Sequence, residues 1–182
     1  MTNQISFKAQ FIRPATITKY SAVRDYKPMR ASFIELKPKT TADRTALRGA
    51  ESLWGEGDTF AAGIANDFED EIFWTNTNKK YYALTLQKNH LDTPVATKIL
   101  GLAEVLTGDN RIKLKYLQTD PQHKHNSPNQ KFKGIGTAML DAIKTIFPQA
   151  DIVLEPAESA VDFYLENGFK RINNNTSMIF KR

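Results

Sequence analysis

Three apolar segments of strand length follow one another in the middle of the chain, and this run most limits the possible folds. They span residues 80–86, 98–106 and 111–117. The turn TGDN at 107–110 lies between the last two segments, which is typical of a β-hairpin. The sequence therefore predicts an antiparallel run of neighbouring strands at the centre of the fold.

Two further strands are predicted ahead of this run. Residues 5–11 alternate between apolar and polar side chains, and Pro14 with the polar residues after it should interrupt that strand. Residues 31–37 form the second apolar segment, which Pro38 ends. The sequence therefore predicts two strands ahead of the first helix.

Two helical patterns lie between these strands and the central run. Thr40 or Thr41 can cap the first helix, whose apolar residues recur at helical spacing as far as Trp54. The second begins near Phe60 and runs into the acidic stretch DFEDEIF at 67–73. That stretch either attracts a cationic amine or forms a solvated helix face, and the solvated face is the preferred interpretation.

Helices and strands alternate in the C-terminal third. A helix is predicted at 136–147, a buried strand at 151–156 and a helix at 159–166, followed by two short strands in FKRI and SMIFKR. Helix-bearing crossovers link at least one pair of strands, and such a pair should be parallel. The complete order predicts an α/β fold, with a mixed sheet and helices on its faces.

Length and composition limit the class of protein. The 182 residues suit one domain spanning 1–182, and 41% hydrophobic with 25% charged residues is ordinary for a soluble globular protein. The chain has no cysteine, which excludes disulfides, thiolate zinc sites and a cysteine nucleophile. The net charge of +5 fits phosphate-bearing partners without demanding nucleic acid.

The sequence has no recognisable membrane or export signal. No segment approaches the roughly 20 apolar residues that a membrane helix needs. The N-terminus, MTNQISFKAQFIRP, has no apolar core of signal-peptide length. We therefore expect a cytoplasmic location.

The segment KFKGIGTAML contains the strongest local signal for a binding site. Gly134 and Gly136 lack side chains, so a ligand can approach the backbone closely. The first N–H groups of the helix that opens here have no partner within it and, with the helix dipole, favour an anion. Thr137 adds a hydroxyl, and Lys131 and Lys133 add charge. The alternative is that the glycines only form a turn and a packing contact, because neither GxGxxG nor a P-loop is present.

A second motif, AVDFYLENGF at 160–169, carries a tyrosine in a short helix. The helix should end at Asn167-Gly168, where glycine suits a left-handed cap. Taken alone, Tyr164 is also compatible with an ordinary core tyrosine whose hydroxyl is hydrogen-bonded.

Together, a strand that ends in LQTDP, the glycine loop and the FY motif resemble the GCN5-related N-acetyltransferase (GNAT) superfamily. The order of elements from residue 31 to 182 is similar to that family, and the specific motifs lie within 117–169. The resemblance implies the GNAT-like acyl-CoA N-acyltransferase fold, with a central, mostly antiparallel sheet flanked by helices. Residues 31–182 would form its core, and residues 1–28 an extra N-terminal strand segment.

The resemblance also implies a site for acetyl-CoA as co-substrate. Its pantetheine arm would pair, like an added strand, with Leu117, Gln118 and Thr119. Tyr164 matches the tyrosine that protonates the departing CoA thiolate. The pyrophosphate would rest on backbone amides of the glycine loop, where the matching positions are Lys131, Phe132, Lys133, Gly134, Ile135, Gly136 and Thr137.

Acetyl transfer to an amine also needs a base, because the attacking amine must be neutral. Glu104 is predicted first, since it shares an apolar strand face with Leu102 and Leu106, where a carboxylate tends to have a raised pKa. The other interpretation of Glu104 is an edge residue in solvent or paired with a lysine. Further candidates for the base are Glu155, followed by Asp120 and His123.

The predicted function is transfer of an acetyl group from acetyl-CoA to a primary amine, by direct attack in a ternary complex. The amine belongs to a small molecule or a peptide that the sequence does not identify, and no metal is expected from His123 and His125 alone. The alternative function is a non-catalytic acyl-CoA-binding or regulatory module of the same fold. A homodimer is compatible with the sequence, because the final strands could pair between two copies of the chain. Nucleic-acid binding is disfavoured, because aromatic residues do not interleave the lysines at positions 113, 115, 131 and 133 as a stacking platform would.

Overall fold

A computed structural model describes residues 9–20, 26–55, 60–71, 78–88, 93–123, 130–172 and 176–182. Within these residues, nine strands and four α-helices are formed. The strands are β1 Gln10–Tyr20, β2 Tyr26–Leu36, β3 Lys79–Thr85, β4 Ile99–Thr107, β5 Arg111–Thr119, β6 Phe132–Lys133, β7 Asp151–Leu154, β8 Lys170–Ile172 and β9 Ser177–Phe180. The helices are α1 Thr41–Trp54, α2 Phe60–Asp70, α3 Ile135–Ile146 and α4 Val161–Glu166.

All of these strands lie in one sheet, in the order β6-β1-β2-β3-β4-β5-β7-β9-β8. The predicted central run is confirmed, since β3, β4 and β5 pair antiparallel with their neighbours in sequence. The chain passes from β5 through α3 to β7, and these two strands are parallel. The α/β fold with a mostly antiparallel sheet is therefore confirmed, including its predicted parallel pair.

Helices cover both faces of the sheet, and each face has its own apolar core. Helices α1 and α2 pack on one face, where Leu47 and Phe68 lie against Ile34. Helix α3 packs on the other, where Met139 is buried with Phe33. Strand β4 is buried along most of its length because it is covered from both sides. None of the described helices is long and apolar enough to cross a membrane.

The first two strands differ from their predicted bounds. The predicted strand at 5–11 falls mostly outside the described residues, while β1 begins at Gln10 and continues through Pro14, so the predicted interruption is wrong. Proline is tolerated here because β6 pairs with β1 only at Thr18 and Lys19, which leaves Pro14 with a partner strand on one side only among the described residues. Strand β2 begins at Tyr26, five residues before the predicted start at 31.

Candidate active site

The parallel strands β5 and β7 separate after a short stretch of pairing. Their ladder joins Arg111 to Asp151 and ends where Lys113 lies opposite Val153. Strand β5 then continues to Thr119, paired with β4 on its other side only, as far as the structure describes the chain. This divergence leaves backbone N–H and C=O groups of β5 available to an extended ligand.

A bulge in β5 lies at the same place. Glu104 of β4 is opposite Tyr116, but the next residue, Val105, is opposite Leu114, so Lys115 is an extra residue in β5. A bulge of this kind takes its extra residue out of the regular ladder and redirects nearby side chains. The sequence contained no signal for it, because the register depends on pairing with β4.

The opening between β5 and β7 forms a pocket of about 300 Å³. Residues 113–117 of β5 line one side and residues 154–157, at the end of β7, line the other. Ala160, Tyr164 of α4 and Phe60 at the start of α2 complete the lining. Among the predicted site residues, Leu117, Tyr164 and Glu155 line this pocket, whereas Gln118, Thr119 and Glu104 do not.

Tyr164 is held rigidly in the lining of the pocket. Its side chain is only 7% exposed, and its ring packs edge-on against Phe163 and Phe169, at 5.0 and 5.5 Å between centroids. Burial raises the pKa of Tyr164 to about 12. The hydroxyl is therefore protonated at neutral pH and can donate a proton or a hydrogen bond.

The two glycines of the KGIGT segment have different structural roles. Gly134 precedes α3 in the left-handed conformation, with φ of +77°, and no atom lies within 4 Å of where its Cβ would be. Gly136 lies in the first turn of α3, and a Cβ there would stand 2.8 Å from Cζ of Phe163. Gly136 thus makes the close packing contact of the alternative interpretation, while Gly134 leaves open space at a helix N-terminus that can accept an anion.

Buried neighbours hold the segment that leads into α3. Phe132 is buried with its ring 4.9 Å from that of His123, and the Lys131 N–H donates to Nδ1 of His123 at 3.4 Å. The N–H of Tyr20 in β1 donates to the Lys131 carbonyl at 2.9 Å. Burial lowers the pKa of His123, which favours the neutral ring that this contact requires. His123 therefore supports the glycine loop and lies outside the pocket.

Glu104 lies one strand away from the pocket, on the face covered by α2. It is fully buried, and Nζ of Lys115 lies 3.4 Å from its Oε1. Burial and the nearby Asp67 carboxylate raise the pKa of Glu104 to about 7, although Lys115 opposes them. The burial and the raised pKa of Glu104 agree with the prediction, and the lysine of the other interpretation is also present. Glu104 itself does not line the pocket, although Lys115 and Tyr116 beside it do.

Two other candidates for the base have different surroundings. Glu155 is exposed on the pocket wall, with Nζ of Lys113 2.8 Å from its Oε1. Asp120 lies beyond the end of β5, where its Oδ2 is 3.9 Å from Nε2 of His123. His125 is outside the described residues. Within the described part of the chain, no group of three or more His, Asp or Glu residues could hold a metal ion.

The acidic stretch at the end of α2 is only in part the solvated face that the sequence favoured, since Asp70 is exposed and the Glu69 side chain is 42% exposed. Glu71 is buried, with Nζ of Lys79 3.3 Å from its Oε1. Asp67 pairs with Lys115, and only Asp70 is exposed without a described ion pair. Neighbouring strands contribute the lysines, so the local sequence could not reveal these contacts. Residues 72–73 of the stretch lie outside the described residues.

The side chain of Gln118 has a role that the local sequence did not indicate. Its Oε1 accepts the N–H of Ala61 at 2.6 Å and so satisfies a donor at the start of α2. The Phe60 ring stacks on Tyr116, with 5.6 Å between centroids. Helix α2 is thereby fastened to β5 beside the pocket. No local pattern could have indicated a contact between residues so far apart in the chain.

The fold is shared with solved N-acetyltransferases at low sequence identity. The ribosomal-protein-S18-alanine N-acetyltransferase from Escherichia coli matches with a TM-score of 0.53 and 15% identity, over 82% of this chain and 90% of that one. The PaiA N-acetyltransferase from Thermoplasma acidophilum, in complex with coenzyme A, matches with a TM-score of 0.50 and 15% identity, over 85% of this chain and 99% of that one. Tetrahymena GCN5 matches with a TM-score of 0.50 and 12% identity, over 77% of this chain and 88% of that one. No family model matches the sequence, and no curated protein matches it significantly.

The central, mostly antiparallel sheet with helices on its faces is the architecture that this chain shares with these solved N-acetyltransferases. The chain has the fold of the GNAT superfamily, as the motifs in its sequence predicted.

Proposed function

We propose that this chain, as a single domain, is an acetyl-CoA-dependent N-acetyltransferase that acts on a primary amine by direct attack in a ternary complex. The observation that carries the proposal is the pocket between β5 and β7, where buried Tyr164 faces an open strand edge. Cytoplasmic action and a small-molecule or peptide acceptor belong to the same proposal.

Two features of the chain fit acetyl-CoA. The edge of β5 beyond Lys113 can pair with the amide groups of a pantetheine arm. The open N-terminus of α3 at Gly134, flanked by exposed Lys131 and Lys133, fits a pyrophosphate. The PaiA structure in complex with coenzyme A supports this assignment. Bound acetyl-CoA supplies the thioester that undergoes transfer.

The chain's own groups account for the proton movements that the reaction needs. Tyr164 donates a proton to the leaving sulfur, because its raised pKa keeps the hydroxyl protonated. Backbone N–H groups at the β5 bulge, around Lys115, offer donors for the oxyanion that forms during attack. Glu104 accepts the proton of the amine through a water, since its carboxylate does not line the pocket. Glu155, which does line it, is the second candidate.

A non-catalytic acyl-CoA-binding module of the same fold is the second candidate function. The observation that favours it is the position of Glu104, which does not line the pocket. Such a module would bind acetyl-CoA but would release no CoA in the presence of any amine.

Thermal unfolding with acetyl-CoA, CoA or ATP tests the cofactor. We expect acetyl-CoA and CoA to raise the midpoint and ATP to leave it unchanged, because only a ligand that binds the native state stabilises it. A panel of amines, followed by detection of the released thiol, then separates the enzyme from the binding module. No change in midpoint at millimolar acetyl-CoA would rule out both functions.

A further inference from the structure

One lysine ammonium is shared by two carboxyl groups that come from different elements. Nζ of Lys115 lies 3.4 Å from Oε1 of Glu104 in β4 and also contacts Oδ2 of Asp67 in α2. Glu104 is fully buried, whereas the side chains of Asp67 and Lys115 are 24% and 28% exposed. The lysine therefore connects the buried carboxyl to a second one that is partly open to solvent.

Glu104 has little else to stabilise its negative charge. Within the described residues, neither of its carboxylate oxygens has a hydrogen-bond partner, and Lys115 lies at ion-pair distance without hydrogen-bond geometry. A buried carboxylate in such a place is expensive to ionise, so its protonation depends on the few charges around it. The two nearest charged groups act in opposite directions, since Lys115 favours the ionised form and Asp67 disfavours it.

The groups that face this carboxyl come from every element packed around it. Directly across from Glu104 on β3 is Tyr81, whose buried hydroxyl has no described hydrogen-bond partner. Burial, followed by the nearby carboxylates, raises the pKa of Tyr81, so this hydroxyl stays neutral. The remaining titratable neighbours are Lys115 and Tyr116 on β5, Lys79 on β3, Asp67 on α2, and Glu71 just after α2, whereas Asp70 of α2 is exposed.

We propose that Asp67 and Lys115 are positioning residues that set the proton affinity of Glu104 in opposite directions. Asp67 keeps that affinity high enough for uptake of a proton near neutral pH, and Lys115 keeps Glu104 from remaining protonated. A role of these two residues in catalysis rests on the proposed function. Their effect on the titration of Glu104 does not depend on that function.

The two partners remain charged while Glu104 titrates. Partial burial works against ionisation of Asp67, but the hydrogen bond from Lys115 holds its pKa below the ordinary value. Burial likewise opposes the charge of Lys115, yet the contacts with Asp67 and Glu104 raise its pKa. Only Glu104 has a pKa near neutrality, at about 7.

Removing either partner should therefore shift the titration of Glu104 in a definite direction. Asp67→Asn removes a like charge and frees Lys115 to pair with Glu104 alone, so both effects lower the pKa of Glu104. Lys115→Met removes the cation and raises that pKa. We expect each shift to be about one pH unit or more, which is the size typical of a charge a few ångströms away. Lys115→Arg keeps the charge, and Asp70→Asn changes an exposed acid of the same helix, so both should titrate like the wild type.

The direct measurement is carbon-13 NMR of glutamate carboxyl groups against pH, with Glu104→Gln used to assign the resonance. Far-ultraviolet circular dichroism checks that each variant is folded, and Asp67→Ala replaces Asp67→Asn if the latter is not. Midpoints that move down for Asp67→Asn and up for Lys115→Met support the proposal. Unchanged midpoints, or shifts of the same sign in both variants, overturn it.

The pH dependence of kcat/KM separates this inference from the proposed function. If Glu104 is the base, the acidic limb of the profile should move with its NMR midpoint in each variant. If the NMR midpoint of Glu104 moves while the acidic limb of the kcat/KM profile stays fixed, Asp67 and Lys115 set the proton affinity of Glu104, but Glu104 is not the base. A limb that moves while the midpoint stays fixed overturns the proposal for Asp67 and Lys115.

Discussion

Gly136 lies so close to Phe163 that a Cβ at position 136 would stand 2.8 Å from the phenylalanine Cζ. The first turn of α3 is thereby packed against α4, in which Tyr164 directly follows Phe163. The glycine loop and the FY motif, which are separated in sequence by a helix and a strand, form one packed unit. A change at the loop should therefore also be felt at the tyrosine.

Gly136→Ala should destabilise the protein by about 1–3 kcal/mol, which is the usual cost of an overpacked contact. The added methyl must displace the Phe163 ring and with it the start of α4. Urea unfolding measures the loss, and steady-state kinetics should show a lower kcat, because Tyr164 moves too. Phe163→Leu in the same chain makes room for the methyl and should recover part of the stability. If the single variant is as stable as the wild type, α3 and α4 are not packed as described.

Gly134→Glu should abolish binding of acetyl-CoA, because a carboxylate would occupy the space before α3 where we place the pyrophosphate. Gly134→Asn is the matched control, since asparagine tolerates the left-handed conformation and adds no charge. Titration calorimetry should show binding by the asparagine variant and none by the glutamate variant. Equal affinities for acetyl-CoA in the two variants would contradict the phosphate site at Gly134.

Tyr164→Phe should lower kcat by roughly 10²–10⁴-fold, the usual contribution of a general acid, with little change in the affinity for acetyl-CoA. The ring packing against Phe163 and Phe169 is kept, so only the hydroxyl is lost. Single-turnover rates and a separate binding measurement distinguish the two quantities. A wild-type rate in the variant would exclude Tyr164 from the mechanism.

Local periodicity was sufficient to predict most of the fold. The apolar segments of β3, β4 and β5 and the helical pattern of α3 follow from side-chain spacing. Helix-bearing crossovers predicted at least one parallel pair, and the structure identifies such a pair as β5 with β7. The path of β1 through Pro14 was not predictable in this way. It depends on how little of β1 is covered by β6, which is decided only when the sheet forms.

The candidate site was predictable where a single segment carries the signal. Tyr164 and Gly134 were found from short motifs, and the burial of Glu104 from its apolar strand face. The position of Glu104 outside the pocket lining depends on how β4 and β5 pair, and local sequence does not show that pairing. The contacts of Lys115 with Asp67 and of Gln118 with Ala61 join segments that are far apart in the chain. Neither contact could therefore be predicted from the local sequence.

Glu104→Gln should make the pH dependence of stability weaker between about pH 4.5 and 7. The pKa of Glu104 rises from its ordinary 4.5 to about 7 on folding, so across this range the folded state holds a proton that the unfolded state has lost. Stability of the wild type should then fall as pH rises through the window, by up to roughly 3 kcal/mol, and stay level above it. The variant lacks this group, so its stability relative to the wild type should be greater at pH 8 than at pH 4. Urea unfolding of both proteins at the two pH values measures the difference, with exposed Glu155→Gln as the control. A difference in unfolding free energy that is the same at both pH values would mean that Glu104 titrates as an ordinary carboxyl group.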